Sequence, residues 1–258
     1  MIDSHCHLYF KQFNGRRQET VRAANLAGVH TIVNIGVDLA TSRQSIALAE
    51  RFDGIYATVG VHPHDSKTLT DSALDELADL ADHPRVCAIG EIGLDFYRDL
   101  SPRDIQRTVF RKQLKLAVDK KKPIVIHTRE AMRPTIDIVR EYAADLKGGV
   151  FHCFPGDAAD AAEVISLGFV VAVGGTLTYP NSCMAAMASV TPLDKIILET
   201  DAPFLAPAPY RGKTNRPEYI PIIRDRLAEL QGVSRQDVEK TTDRTCQKLF
   251  GLVEVFGD

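Results

Sequence analysis

Six side chains of the kinds that bind divalent ions stand at or near the ends of short apolar or β-branched runs: His5, His7, Glu91, His127, His152 and Asp201. The first run, Ile2-Asp3-Ser4-His5-Cys6-His7-Leu8, carries two of them. In a strand, residues two apart point to one face, so His5 and His7 aim together while Cys6 aims away. Two neutral imidazoles held this way can share one zinc-like ion at about 2.0 to 2.1 Å. His-x-His by itself is also met as a pair of hydrogen-bonded surface histidines. The later runs decide the matter: Glu91, His127, His152 and Asp201 recur at strand ends, where a lone histidine would read as a core residue bonded to a carbonyl but the joint set reads as a metal centre.

The elements that must position these groups alternate without a break. Strand-like runs at residues 2–8, 31–35, 55–61, 86–91, 123–127, 149–154, 169–173 and 195–201 are each followed by a helical stretch. The helices fall near 17–27, 41–51 behind an Asp38 cap, 70–84 opened by Thr70, 102–122, 133–146, 157–167 and 181–190, with two more after Pro217 and Ser234. Phe110, Leu114, Ala117 and Val118 form the core-facing stripe of the longest helix. The triplet Lys120-Lys121-Lys122 that closes it reads as cations meeting the negative end of a helix dipole. Runs apolar on both faces indicate parallel strands covered by helices, and eight such units in 258 residues predict a single-domain (β/α)8 barrel spanning 1–258. An open doubly wound sheet is the alternative, but it needs no metal-capable residue at so many strand ends. In a barrel the ends of units one, four, five, six and eight share one rim.

Composition narrows the function classes. A hydrophobic fraction of 45% and a charged fraction of 25% are ordinary for a globular domain, and no run reaches the about 18 apolar residues of a membrane span. The His-x-His run follows Met1 almost at once, leaving no room for a signal peptide, so a cytoplasmic address is expected. Cys6, Cys87, Cys153, Cys183 and Cys246 are odd in number and never spaced Cys-x-x-Cys, which predicts reduced core thiols. A net charge of -3 excludes a general basic coat but leaves room for a local basic rim around a polyanion site.

The motif set resembles a known family. The stretches Asp3-Ser4-His5-Cys6-His7-Leu8, Gly60-Val61-His62-Pro63-His64, Gly90-Glu91-Ile92-Gly93-Leu94-Asp95-Phe96, Pro123-Ile124-Val125-Ile126-His127-Thr128-Arg129, His152-Cys153-Phe154 and Glu199-Thr200-Asp201-Ala202-Pro203-Phe204-Leu205 are similar to those of the TatD-type metal-dependent deoxyribonucleases, within the amidohydrolase superfamily of barrels. The likeness runs nearly end to end and includes Pro209-Tyr210-Arg211-Gly212-Lys213, Asn215 and Pro217. It implies two divalent ions (Zn, Mn or Mg), one held by His5, His7, Glu91 and Asp201, the other by Glu91, His127 and His152, with Glu91 bridging. Some family members lack the first His pair; this chain keeps it.

With that resemblance, the expected chemistry is hydrolysis of a phosphodiester by a metal-activated water, on DNA that is single-stranded or at a 3′ end. Asp201 and Glu91 are expected to serve catalysis with His62, Asp201 taking or orienting the proton and His62 donating to a phosphate or leaving oxygen. His62 also reads as a cap on the turn before Pro63. Arg129, Arg211, Lys213, Asn215 and Tyr210 are the candidate substrate contacts, with Arg129 also placed to pair with Glu130 or a neighbouring helix. Asp95 and Glu199 are expected to orient ligands, and Phe96, Tyr97, Phe154, Tyr179 and Tyr210 to be available for base stacking or core packing. His30, His64 and His83 are given no role. A monomer is expected.

Two other classes stay open. The same barrel serves amide and other ester hydrolysis, so an aminoacyl-tRNA ester or a cyclic amide is the alternative substrate. Glu91, where many cyclic amidohydrolases carry a modified lysine, leans toward the nucleases. The third class is a non-catalytic scaffold stabilised by metal, which the intact ligand set and basic last loop disfavour.

Overall fold

The computed structural model describes residues 1–180 and 182–252. Eight strands form one parallel sheet in sequence order: β1 (Ile2–Cys6), β2 (Thr31–Asn34), β3 (Ile55–Val59), β4 (Val86–Asp95), β5 (Ile124–Arg129), β6 (Gly149–Phe151), β7 (Phe169–Val173) and β8 (Ile196–Leu198). The helices between them are α1 (Arg17–Leu26), α2 (Leu39–Arg51), α3 (Asp71–Ala81), α4 (Arg103–Lys120), α5 (Met132–Arg140), α6 (Ala158–Ser166) and α7 (Cys183–Val190), followed by α8 (Ile220–Gln231) and α9 (Arg235–Phe250). This is the expected (β/α)8 barrel. It closes where Asp201 N donates to His5 O at 2.8 Å and His7 N to Ala202 O at 2.8 Å, just past the ends of β8 and β1. Behind that seam the Asp3 carboxylate accepts from Thr200 N at 2.9 Å and Thr200 Oγ1 at 2.6 Å.

Local chemistry sets the helix starts. Asp38 accepts from Thr41 N at 2.7 Å and Thr70 Oγ1 from Ala73 N at 3.2 Å, satisfying amides that have no partner within their helices. Lys121 takes the left-handed conformation that ends α4, while Lys120 pairs with Asp82 at 2.6 Å. The expected start of the seventh helix, Asn181, lies outside the described residues, as do residues 253–258 of the expected domain. α5 ends at Arg140, short of the expected 146, and turns follow it.

β4 runs on through Asp95, past the strand end expected at Glu91. Gly93 is needed inside the strand: a Cβ there would sit 1.9 Å from His127 O, and its φ is 143°. The register of β4 on β5 shifts between Ile89 and Ile92, so Glu91 stands at the irregularity. A glutamate there is freed from the regular pleat.

Buried apolar residues divide into a large cluster that includes the helix faces and a smaller one of strand residues such as Val33, Ala88, Val125, Val150 and Ile197, met by Cys246, Phe250 and Leu252. The second cluster fills the barrel. Two residues further along the same strand faces come His127, His152 and Glu199, so the candidate site continues the inward stripe. The five cysteines are free, but only Cys6, Cys87 and Cys246 are buried; Cys153 is half-buried and Cys183 exposed, which corrects the expectation of five core thiols. Among the described residues no helix is long and apolar enough to cross a membrane.

Candidate metal centre

The closing seam fixes three of the ligand-type groups together. The backbone bonds that join His5 to Asp201 and His7 to Ala202 leave His5 Nε2 3.2 Å from His7 Nε2, with Asp201 Oδ1 3.4 Å from His7 Nε2 and 3.7 Å from His5 Nε2. Asp201 holds φ +57°, a region that aspartate tolerates better than most residues. His7 lies one residue past β1, yet both imidazoles point inward as expected.

Glu91 lies against both halves of the centre. Its Oε2 is 3.4 Å from His5 Nε2, while its Oε1 is 2.8 Å from His127 Nδ1, 3.4 Å from His152 Nε2 and 3.5 Å from His62 Nε2. The rings of His5 and His152 stack at 3.8 Å between the two halves. His7 and His127 are hydrogen-bonded on their far sides and His152 faces a carboxylate there, whereas His5 Nδ1 is buried with no hydrogen-bond partner among the described residues. Tyr9 OH is 2.9 Å from His7 Nδ1, Asp95 Oδ2 is 3.1 Å from His127 Nε2, and Glu199 Oε1 is 3.3 Å from His152 Nδ1 while accepting from Cys153 N at 2.7 Å. Such outer partners fix which ring nitrogen is left with a lone pair for a metal.

The electrostatics suit a cation. Burial opposes charge on His152, but Glu199 and Glu91 outweigh it and push the imidazole up to about 10. Burial likewise works against ionised Glu91, yet the surrounding histidines hold it well below the usual carboxylate range. Asp201 is held below its ordinary value in the same way, by the His7 hydrogen bond and the nearby imidazoles. His5, by contrast, is pushed down by burial and by His152. Converging imidazole nitrogens and ionised carboxylates, mostly shielded from water, are the donor set of a divalent-metal site. Groups that can hold an ion are His5 with His7 and Glu91, His5 with His152 and Asp201, and His62 with Glu91 and His127.

Above this floor opens a pocket of about 390 Å³, lined by His7, His62, Glu91, His127, Arg129, His152 and Asp201 among the expected residues. Burial, then His127, pushes His62 down to about 4, and His62 Nδ1 accepts from His64 N at 3.2 Å, so it is also the cap of the turn. Arg129 lies over the Tyr97 ring at 3.8 Å. Four expected substrate contacts stand elsewhere. Asn215 is fully buried and donates to Thr200 O at 2.6 Å, so its amide serves the fold behind Asp201 and cannot grip a substrate. Tyr210 stacks on Tyr219 at 4.4 Å, Arg211 lies over Tyr179 at 4.6 Å, and Lys213 is 6.0 Å from the Tyr210 ring, none of them lining the pocket. His64, given no role from sequence, donates from Nε2 to Asp95 Oδ2 at 2.9 Å and lines the pocket. Phe10, Arg98 and Phe204 also line it and were not singled out. A usable signal was present: Phe10 and Phe204 each follow an expected ligand, His7 or Asp201, by three residues, and Arg98 follows Asp95 by three.

The family model described as TatD related DNase matches residues 2–251. The chain belongs to this family. As a TatD-family protein it is a metal-dependent hydrolase, and its relatives cover nearly its whole length. It is 36% identical over 253 residues to the uncharacterized metal-dependent hydrolase YabD of Bacillus subtilis, covering 98% of this chain and 99% of that one. It is 32% identical to a protein of Klebsiella pneumoniae named 3'-5' ssDNA/RNA exonuclease TatD, covering 98% of each. The crystal structure of YJJV, a TatD homolog from Escherichia coli, superposes with a TM-score of 0.93 at 30% identity over 98% of both chains.

Proposed function

We propose that this TatD-family hydrolase is a 3′–5′ exonuclease that removes nucleotides from single-stranded DNA or RNA ends with two divalent ions (Zn, Mn or Mg). The observation that carries the reading is Glu91, whose two carboxylate oxygens face two separate ligand groups on the floor of one pocket. His5, His7, Asp201 and Glu91 would hold one ion, and Glu91, His127 and His152 the other. When bound, the ions supply a water acidified toward neutrality and positive charge against a phosphoryl oxygen.

The chain's own groups do the rest. Asp201, ionised at neutral pH and half-buried at the pocket wall, takes the proton of the attacking water. His62 is neutral at that pH, and because its Nδ1 accepts the His64 amide its proton sits on Nε2, aimed into the centre. It is therefore a donor for a phosphoryl or leaving oxygen. Arg129, its plane fixed on Tyr97, can meet a phosphate with two parallel N–H groups. The name of the Klebsiella relative supports a nucleic-acid end as substrate. The proposal includes a monomer in the cytoplasm, in keeping with five thiols that form no disulfide.

The test is release of mononucleotides from a 3′-tailed single-stranded DNA with Mg, Mn or Zn added, beside a Glu91→Ala preparation that controls for contaminating nuclease. Release by the wild type alone supports the reading. If neither releases nucleotides, the bond cut is another, and aminoacyl esters and cyclic amides are the next substrates to assay.

A further inference from the structure

Phe204 exposes 43% of its surface at the lip of the pocket, an unusual place for a phenyl ring. It is held there by structure. Phe204 N donates to Asp201 O at 2.8 Å, closing a turn that ties the ring to a ligand residue. Phe10 meets it edge to face at 5.3 Å and 81°, and Tyr9 covers Phe10 at 5.1 Å and 26°. The His7 ring touches both, at 5.6 Å from Phe10 and 6.2 Å from Phe204. One side of the pocket is thus a braced aromatic wall whose open surface is largely Phe204.

The other side is cationic. Arg98 follows β4 and Arg129 ends β5, whereas Phe10 follows β1 and Phe204 follows β8. In a barrel of eight strands in sequence order, β8 and β1 are neighbours and β4 and β5 lie across from them. The metal centre lies between a ring wall and a pair of guanidinium groups. A planar apolar group joined to an anion is what this arrangement complements.

We propose that Phe204, braced by Phe10, is a stacking platform for one unpaired nucleobase of the substrate, whose phosphates lie over the metal centre toward Arg98 and Arg129. The assignment rests on the nuclease reading above and adds to it the part of the nucleotide that is recognised. Stacking uses the face that every base has, so the platform is tolerant of sequence and demands only that the base be unpaired.

The test separates base from backbone. Binding of an oligothymidylate and of an abasic strand of the same length, both with phosphorothioate linkages that resist cleavage, is measured by fluorescence anisotropy with Mg present. The proteins are the wild type, Phe204→Ala and Phe204→Tyr. Wild type and Phe204→Tyr are expected to favour the strand with bases by about 5- to 150-fold, and Phe204→Ala to lose most of that preference while binding the abasic strand as before. An unchanged melting temperature should show that Phe204→Ala is folded. The platform is overturned if Phe204→Ala keeps the preference, or if it weakens both strands alike. Nucleotide release from unmodified oligothymidylate, run in parallel, tests the nuclease reading by itself. Cleavage with an unchanged preference in Phe204→Ala sinks only the platform. A preference that depends on Phe204 without cleavage by the wild type sinks only the nuclease.

Discussion

Replacing Asp95 by asparagine should weaken metal binding without touching an expected ligand. Its carboxylate serves four partners: Tyr97 N at 3.0 Å and Arg98 N at 2.8 Å on Oδ1, and His64 Nε2 at 2.9 Å and His127 Nε2 at 3.1 Å on Oδ2. Burial works against its charge, but the hydrogen bonds from His127 and His64 hold it well below the usual carboxylate range. It is therefore ionised and accepts from His127 Nε2, while His127 Nδ1 donates to Glu91 at 2.8 Å. Burial opposes charge on the imidazole, but the two carboxylates together raise it, and the Nδ1 proton is the one a metal would displace. An asparagine can keep both backbone amides on its oxygen, but its NH₂ then confronts two ring nitrogens. Neutral His127 would answer by moving its proton to Nδ1, where the metal lone pair is needed. Changes to such orienting partners cost about 10- to 100-fold in metal affinity, or about 1.4 to 2.7 kcal/mol. The assay is competition with a chromophoric chelator, together with turnover against metal concentration. The midpoint of activation should move by that factor, with activity recovered at saturating metal. An unmoved midpoint would refute the tautomer argument, and loss of all binding at any concentration would make Asp95 a ligand itself.

Three further outcomes are expected. Adding EDTA should abolish turnover while leaving most of the helical circular dichroism, since a barrel of this size has a core that does not rest on metal; full unfolding would contradict this. Lys121→Ala should leave activity and substrate affinity unchanged, because the residue forms the left-handed end of α4; a large loss of affinity for DNA would show that the lysine triplet binds substrate. Burial raises the carboxyl of Asp3 from 3.8 to about 7, against the hydrogen bonds from Thr200. Between those values the unfolded chain releases a proton that the folded chain keeps, so this group's contribution to stability falls as pH rises toward about 7. In chelator-treated protein, the melting temperature of Asp3→Asn relative to wild type should therefore rise from about pH 5 to about pH 7.5. A difference that does not vary with pH would remove Asp3 as its source.

Much of the site was legible because a strand imposes a period of two on its side chains. Val125 and His127, or Val150 and His152, share an inward face whatever the loops do, and the ends of parallel strands in a barrel meet at one rim. Asp201 obeyed the same parity from Ile197 even though β8 stops at Leu198 and the chain turns left-handed at Asp201 itself. What alternation does not govern was lost. Asn215 stands in a basic, proline-rich loop and looks like a substrate contact, and nothing near it in sequence says that its amide is taken by Thr200 O. His64 is two residues from His62, but the helical turn that starts at Pro63 breaks the strand parity that would have placed it.

The aromatic wall was hidden for a different reason. Phe10 and Phe204 are 194 positions apart (204 − 10), and they meet only because the sheet closes by pairing the end of β8 with the end of β1. Closure is a property of the whole barrel and leaves no mark in either loop. Once eight strands are granted, however, it follows that the first and last loops are neighbours, and two phenylalanines at the same offset from His7 and Asp201 must flank the same ion-binding groups. Arg98 and Arg129 leave the adjacent strands β4 and β5 and so lie together across the rim. The circular order of the strands therefore separates ring from charge around the candidate metal centre, a division that no local motif encodes.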